Sequence, residues 1–309
     1  MKLGMSQACY RWIIYPNMRR DRPDYYRDYP PHFLQSVVPP EADADVADWL
    51  IQKSLDLGLE VIYMPPTWQD DRQRADVFKE KMARAGIAFI GSVSLNVAAS
   101  EEEWWGGEFD QVVEAIRRVG WGGGKLAAAV HNQSTRHNHF TLEPPVQVQI
   151  KRAIYNFGSL IPACEENGVV LAFENHMDYR LGELVQVIEG VDSKWIRINL
   201  DTANPIAVVE DPLEGARRAV RYAANAHLKD MRVQPATGTG EPRVFWAPLG
   251  QGDVPIAEIL ALLQEEAPDP DNLPVCLEVA PPPDHDPDVW MRSSLDWLRS
   301  TCGTYFSNG

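Results

Sequence analysis

The chain has 309 residues, 45% hydrophobic and 24% charged, the composition of a folded globule and not of a disordered or fibrous chain. Its 29 Lys and Arg stand against 44 Asp and Glu, and the formal charge of −15 disfavours nucleic-acid and anionic-membrane partners by repelling their phosphates. The four cysteines, Cys9, Cys164, Cys276 and Cys302, form no C-x-x-C pair and suggest neither a zinc ribbon nor a disulfide framework; with no signal-peptide pattern or membrane-length apolar run, a cytoplasmic location is expected.

In chain order, eight short apolar runs predict strands: Leu3–Ala8, Leu59–Met64, Ile87–Val93, Lys125–Val130, Val169–Phe173, Ile196–Leu200, Ala223–Leu228 and Val275–Val279. Short, nearly continuous Val/Ile/Leu/Ala stretches suit strands covered on both faces. Amphipathic segments between them predict helices over Asp43–Leu57, Arg72–Ala85, Trp104–Val119, Val146–Glu166, Leu181–Ile188, Pro212–Tyr222, Ile256–Glu266 and Asp288–Ser300. Gly58, Gly86 and Gly168 each follow a helix and precede a strand, as C-terminal glycines do. This α/β alternation predicts one domain over 1–309, a single (β/α)8 TIM barrel, a fold for which roughly 250 residues is typical. A doubly wound sheet would carry a Gly-rich loop after the first strand, where Met5-Ser6-Gln7-Ala8 stands instead.

The extra length falls in the first and seventh strand-to-helix loops, on the face where barrel enzymes place their chemistry. The first loop, residues 10–40, is rich in aromatics and arginine, and five of the ten tyrosines lie between Tyr10 and Tyr29. That density suits a lid over a substrate, a contact in a homo-oligomer or with a partner subunit, or a packed surface loop. The seventh, Met231–Asp253, holds Phe245, Trp246 and Gly250-Gln251-Gly252.

Polar residues cluster at the ends of the later strands. Glu174 ends the fifth, Asp201 the sixth, His227 the seventh and Glu278 the eighth, separated by 27, 26 and 51 residues. Each alone reads as a cap, an ion-pair partner or a core histidine. Together, in phase on adjacent strands, they predict a hard, oxygen-rich metal site suited to Mn²⁺ or Mg²⁺, with Co²⁺ or Zn²⁺ as alternatives. A cation would also relieve the mutual repulsion of three carboxylates.

The segments LAFENH (171–176), NLDTAN (199–204), AHLKD (226–230), PLGQGDV (248–254) and CLEV (276–279) resemble the xylose isomerase-like barrel superfamily, in its sugar phosphate isomerase/epimerase branch. The resemblance implies a divalent metal on Glu174, Asp201, His227 and Glu278, binding two oxygens of a keto sugar. It implies isomerase or epimerase chemistry through a metal-bound enediolate, with Glu174 and Glu278 exchanging a proton with the substrate carbon. The alternative outcome is a lyase of the same superfamily: a dehydratase, a decarboxylase or a 3-keto-glycoside or C-glycoside eliminase. Ketose 3-epimerases carry a histidine three residues after the Asp ligand and an arginine six after the His ligand, where this chain has Asn204 and Val233. The superfamily's endonuclease branch would need a basic groove, which a charge of −15 opposes.

Several neighbours admit both a functional and a bland reading. His176, two after Glu174, is a candidate catalytic residue or a loop hydrogen-bond donor. Lys229, two after His227, is a candidate catalytic residue holding an oxyanion, or an ion-pair partner of Asp230 or Glu174. His131, Asn204 and Trp246 are candidates for substrate contact, and the substrate expected is a small keto sugar or sugar derivative.

Overall fold

A computed structural model of the protein describes residues 1–14, 46–68, 70–131, 137–236, 240–282 and 285–306. The first loop, read above as a candidate lid over 10–40, lies largely outside these residues. Its described start is a tight turn at Gln7–Tyr10 and a helical turn at Arg11–Ile14. Tyr10 belongs to the core: it is fully buried, its ring 5.0 Å from that of Trp49, its hydroxyl donating to Asp288 Oδ1 at 2.8 Å.

Strands β1 (Lys2–Ser6), β2 (Val61–Tyr63), β3 (Ala88–Leu95), β4 (Leu126–His131), β5 (Val170–Glu174), β6 (Ile196–Asp201) and β7 (Ala223–Leu228) pair in parallel in chain order. Two more, β8 (Asp230–Gln234) and β9 (Arg243–Ala247), form a separate antiparallel hairpin, and β10 (Pro274–Leu277) closes the barrel between β7 and β1. All eight predicted strands are present, within about two residues of their expected bounds. The connection Met231–Asp253, read from sequence as a loop, contains most of this hairpin. Its first strand was missed because Arg232, Val233 and Gln234 face solvent and offer no apolar run, and the short run Val244–Ala247 on the second is only partly covered.

Helices α1 (Val46–Leu57), α2 (Arg72–Ala85), α3 (Phe109–Trp121), α4 (Val146–Ser159), α5 (Ile161–Asn167), α6 (Leu181–Val191), α7 (Pro212–Ala219), α8 (Ile256–Glu266) and α9 (Pro287–Cys302) lie between or after the barrel strands. Local chemistry sets their ends. Asp71 caps α2 by accepting from Arg74 N, and Gly86 closes it in the left-handed conformation, φ +68°. The segment predicted as one helix over 146–166 breaks at Leu160, because Pro162 has no N–H to continue the ladder.

Two apolar clusters follow from strand parity. Val61, Tyr63, Ile90, Leu126, Ala128, Ala172 and Cys276 form the smaller one, which fills the barrel. The alternate positions, such as Leu171 and Phe173 on β5, face outward into the larger cluster with the helices. There α3 presents Val112, Ile116 and Val119 at helical spacing, each buried side chain contributing about 1.5–3 kcal/mol relative to exposure. The four cysteines are all free and buried.

Candidate metal centre

The parity that fills the barrel also aims the site. On β5, Val170 and Ala172 belong to the inner cluster, so Glu174 continues the same face at the strand's C-terminal end. Cys276 relates to Glu278 in the same way, as Asn199 does to Asp201 and Asn225 to His227. One ligating atom from each of Glu174, Asp201, His227 and Glu278 lies within 4.8 Å of the other three, and all four residues are buried. The sequence predicted this convergence.

Each side chain is held from below or beside. Asn199 Nδ2 donates to Glu174 Oε2 at 2.8 Å and its Oδ1 accepts from Asn225 Nδ2 at 2.8 Å. Asp201 Oδ1 accepts from the backbone N–H groups of Ala203 and Asn204, both at 2.9 Å. Asn175 clamps the Asp201 backbone, accepting from its N–H at 2.8 Å and donating to its carbonyl at 2.9 Å. His227 Nδ1 stands 3.4 Å from Glu174 Oε2 and 3.6 Å from Glu278 Oε2, with its ring 4.6 Å from that of Tyr63.

Lys229 completes the cluster. Its ammonium lies 2.7 Å from Asp201 Oδ2 and 2.9 Å from Glu278 Oε2, donates to Asn204 Oδ1 at 3.0 Å, and sits 4.8 Å from the centre of the Trp246 ring. The ion pair with Asp230 or Glu174 considered from the sequence is not the one formed. Asp230 instead accepts from the N–H groups of Gly250, Gly252 and Val254 and holds the loop before α8.

Burial and charge compete at every member. Burial raises Glu278, but Lys229 and His227 outweigh it and hold this carboxyl well below the ordinary range. Glu174 is likewise lowered, because His227 overcomes its burial. Asp201 stays raised, its burial outweighing the pull of Lys229. Burial opposes charge on His227 and Lys229, yet the surrounding carboxylates raise both. Three carboxylates in this volume demand positive charge. Asp201 Oδ2 and Glu278 Oε2 are buried and meet the Lys229 ammonium as an ion-pair partner, which leaves each a further lone pair for a cation. The donor set of three carboxylates and one imidazole fits a hard divalent ion.

The remaining predicted residues divide by position. Asn204 is buried, its Oδ1 on Lys229 and its Nδ2 without a hydrogen-bond partner among the described residues. His176 is half-buried just beyond β5, near enough for its charge to act on Glu174 and Glu278. His131 is tied to backbone at both ring nitrogens, accepting from Val97 N at 3.3 Å through Nδ1 and meeting His137 O at 3.0 Å through Nε2. Val233 is exposed on the hairpin. The sequence reading passed over Asn175, Asn199, Asn225 and Tyr63. Asn199 and Asn225 precede a ligand by two positions on the same strand, a period-2 signal that was present to be read.

The family described as xylose isomerase-like TIM barrel matches residues 51–301. A curated relative, the uncharacterized protein YihM of Escherichia coli (strain K12), is 26% identical over 100 residues, 32% of this chain; the match spans 30% of the length of that relative. Among solved structures, D-psicose 3-epimerase from Clostridium cellulolyticum H10 has a TM-score of 0.67 at 13% identity, over 99% of this chain and all of that one (100%). The IOLI protein with a binding zinc atom has a TM-score of 0.67 at 15% identity, over 99% and 100% of the two chains. The probable 3-DHS dehydratase AsbF from Bacillus anthracis has a TM-score of 0.65 at 13% identity, over 96% and 98%. At these identities the structural likenesses establish the fold, while the family match extends across most of the sequence and includes all four clustered residues. The chain therefore belongs to the xylose isomerase-like TIM barrel family.

Proposed function

We propose that the protein is a divalent-metal-dependent sugar isomerase or epimerase, with Mn²⁺ as the expected ion, held by Glu174, Asp201, His227 and Glu278. The observation that carries this reading is the buried four-residue cluster at the C-terminal mouth of the barrel; the zinc named for the IOLI structure supports it. When bound, such an ion supplies the Lewis acidity that makes a C–H beside a carbonyl acidic. Glu174 and Glu278 are the proton carriers; both are held below the ordinary carboxyl range and so stand ionised, the form a general base requires. Asn199 orients the Glu174 carboxylate and Lys229 that of Glu278. Asn204 and Trp246 flank Lys229 at the substrate side of the cluster.

A lyase outcome is the second reading. Val233 lies exposed where the epimerases carry arginine, and Asn204 replaces their histidine; one structural neighbour is named as a probable dehydratase. The test is turnover of a keto-sugar panel by Mn²⁺-loaded protein in deuterated water. Deuterium entering one carbon of an intact sugar identifies isomerisation, and release of water or of a fragment identifies elimination. Glu174→Gln and Glu278→Gln should each lower kcat by about 10²–10⁴. Full activity in either variant would end the mechanism.

A further inference from the structure

A cleft of about 260 Å³ opens between the hairpin β8–β9 and the segment that follows β10. Phe245, Trp246, Pro248, Pro282 and Trp290 contribute its apolar walls, and Arg232 also lines it. Among the described residues its lining carries no Asp or Glu, and its polar members are Arg232, Gln234, Gln251 and His285.

The aromatic walls are held in place. Trp290 is nearly buried on α9 and donates its indole N–H to His285 Nδ1 at 3.0 Å. The Trp246 ring has Lys229 Nζ 4.8 Å and the Arg11 guanidinium 5.5 Å from its centre. Trp246 is also the wall shared with the metal centre, because the same Lys229 ammonium lies 2.9 Å from Glu278. A molecule seated on the cluster therefore has this cleft as its immediate neighbour. An apolar cavity of about 150 Å³ is enough for benzene, so the cleft has room for a substituted ring. Flat, anchored aromatic and proline faces favour a planar ring over a hydrated chain.

We propose that this cleft is a second substrate subsite that takes an aromatic ring, so that the substrate class is a sugar linked to an aryl group. This rests on the reading that the sugar part is held at the metal centre. With Arg232 beside it, the cleft suits an electron-rich, phenol-derived ring.

The test is calorimetric titration of the Mn²⁺-loaded full chain with phenyl β-D-glucoside and methyl β-D-glucoside. The phenyl compound should bind about tenfold more tightly. Phe245→Ala and Trp290→Leu, each checked for folding by circular dichroism, should bring the two affinities to parity and leave that for the methyl glycoside unchanged. Equal affinities in the wild type, a preference that survives both substitutions, or binding of neither compound would overturn the subsite. A phenyl preference that persists unchanged after metal is stripped with EDTA would support the cleft and count against the metal as holder of the sugar. Metal-dependent turnover of free keto sugars without any phenyl preference would do the reverse.

Discussion

Asn199 faces into the barrel on β6, whereas His131 continues the outward face of Ala127 and Ala129 on β4, yet the sequence makes the first look structural and the second functional. Asn199 sits inside an apolar strand with no obvious partner, while His131 ends a strand as a ligand would. The structure reverses the emphasis: Asn199 connects Asn225 to Glu174, whereas both ring nitrogens of His131 meet backbone. Burial pushes the His131 imidazole down from 6.5 to about 4. Between these values the unfolded chain binds a proton that the folded chain refuses. Its stability contribution is therefore fully present above pH 6.5 and falls as pH drops toward 4, by up to roughly 3 kcal/mol. His131→Gln should flatten the acid limb of a Tm-against-pH curve in that window; an unchanged slope would show that other groups govern it. Strand parity made the four ligands legible, but side-chain partners depend on which strands become neighbours, and one sequence does not list those contacts.

At the scale of elements, the hairpin β8–β9 is the main feature the sequence concealed. A ribbon outside the barrel has no second covered face, so β8 lacks the apolar run by which the barrel strands were recognised, and the run Val244–Ala247 on β9 is only partly buried. Asp230 attaches it to the fold. One of its carboxylate oxygens accepts from Gly250 and Gly252 and the other from Val254, although burial raises this carboxyl above its ordinary value. There is no room for a side chain at position 252, because a Cβ would come within 2.0 Å of Asp230 Oδ1. The motif PLGQGDV is thus the counterpart of Asp230. Asp230→Ala strands three N–H donors and should cost about 2–4 kcal/mol, read from the urea midpoint. It should also loosen the Trp246 wall, so a variant as stable as the wild type would contradict this role. The long helical pattern over 146–166 gave the opposite error: its apolar spacing is continuous, and Pro162 interrupts only the backbone ladder.

For the whole molecule, the charge of −15 is distributed to a purpose at the barrel mouth, where three buried carboxylates face one imidazole and one ammonium. Removing the ammonium leaves the acids to repel one another without water to screen them. Lys229→Met should therefore lower the stability of metal-free protein by about 3–5 kcal/mol. Added Mn²⁺ should raise the Tm of both proteins, by mass action on the folded state, and more strongly in the variant. Differential scanning fluorimetry with and without EDTA measures both effects, and a variant unmoved by metal would contradict the assignment of the site.

The sequence by itself determined the barrel, the phase of its strands and the four residues at their C-terminal ends, because burial on both faces imposes a local pattern on each strand. Tertiary structure decided what those residues meet: Lys229 on Asp201 and Glu278 instead of Asp230, Asn199 under Glu174, and Trp246 between the cluster and an aromatic cleft. Those choices depend on the pairing and curvature of the closed sheet and on a hairpin folded back beside it. Periodicity along one strand carries no record of the distances between strands.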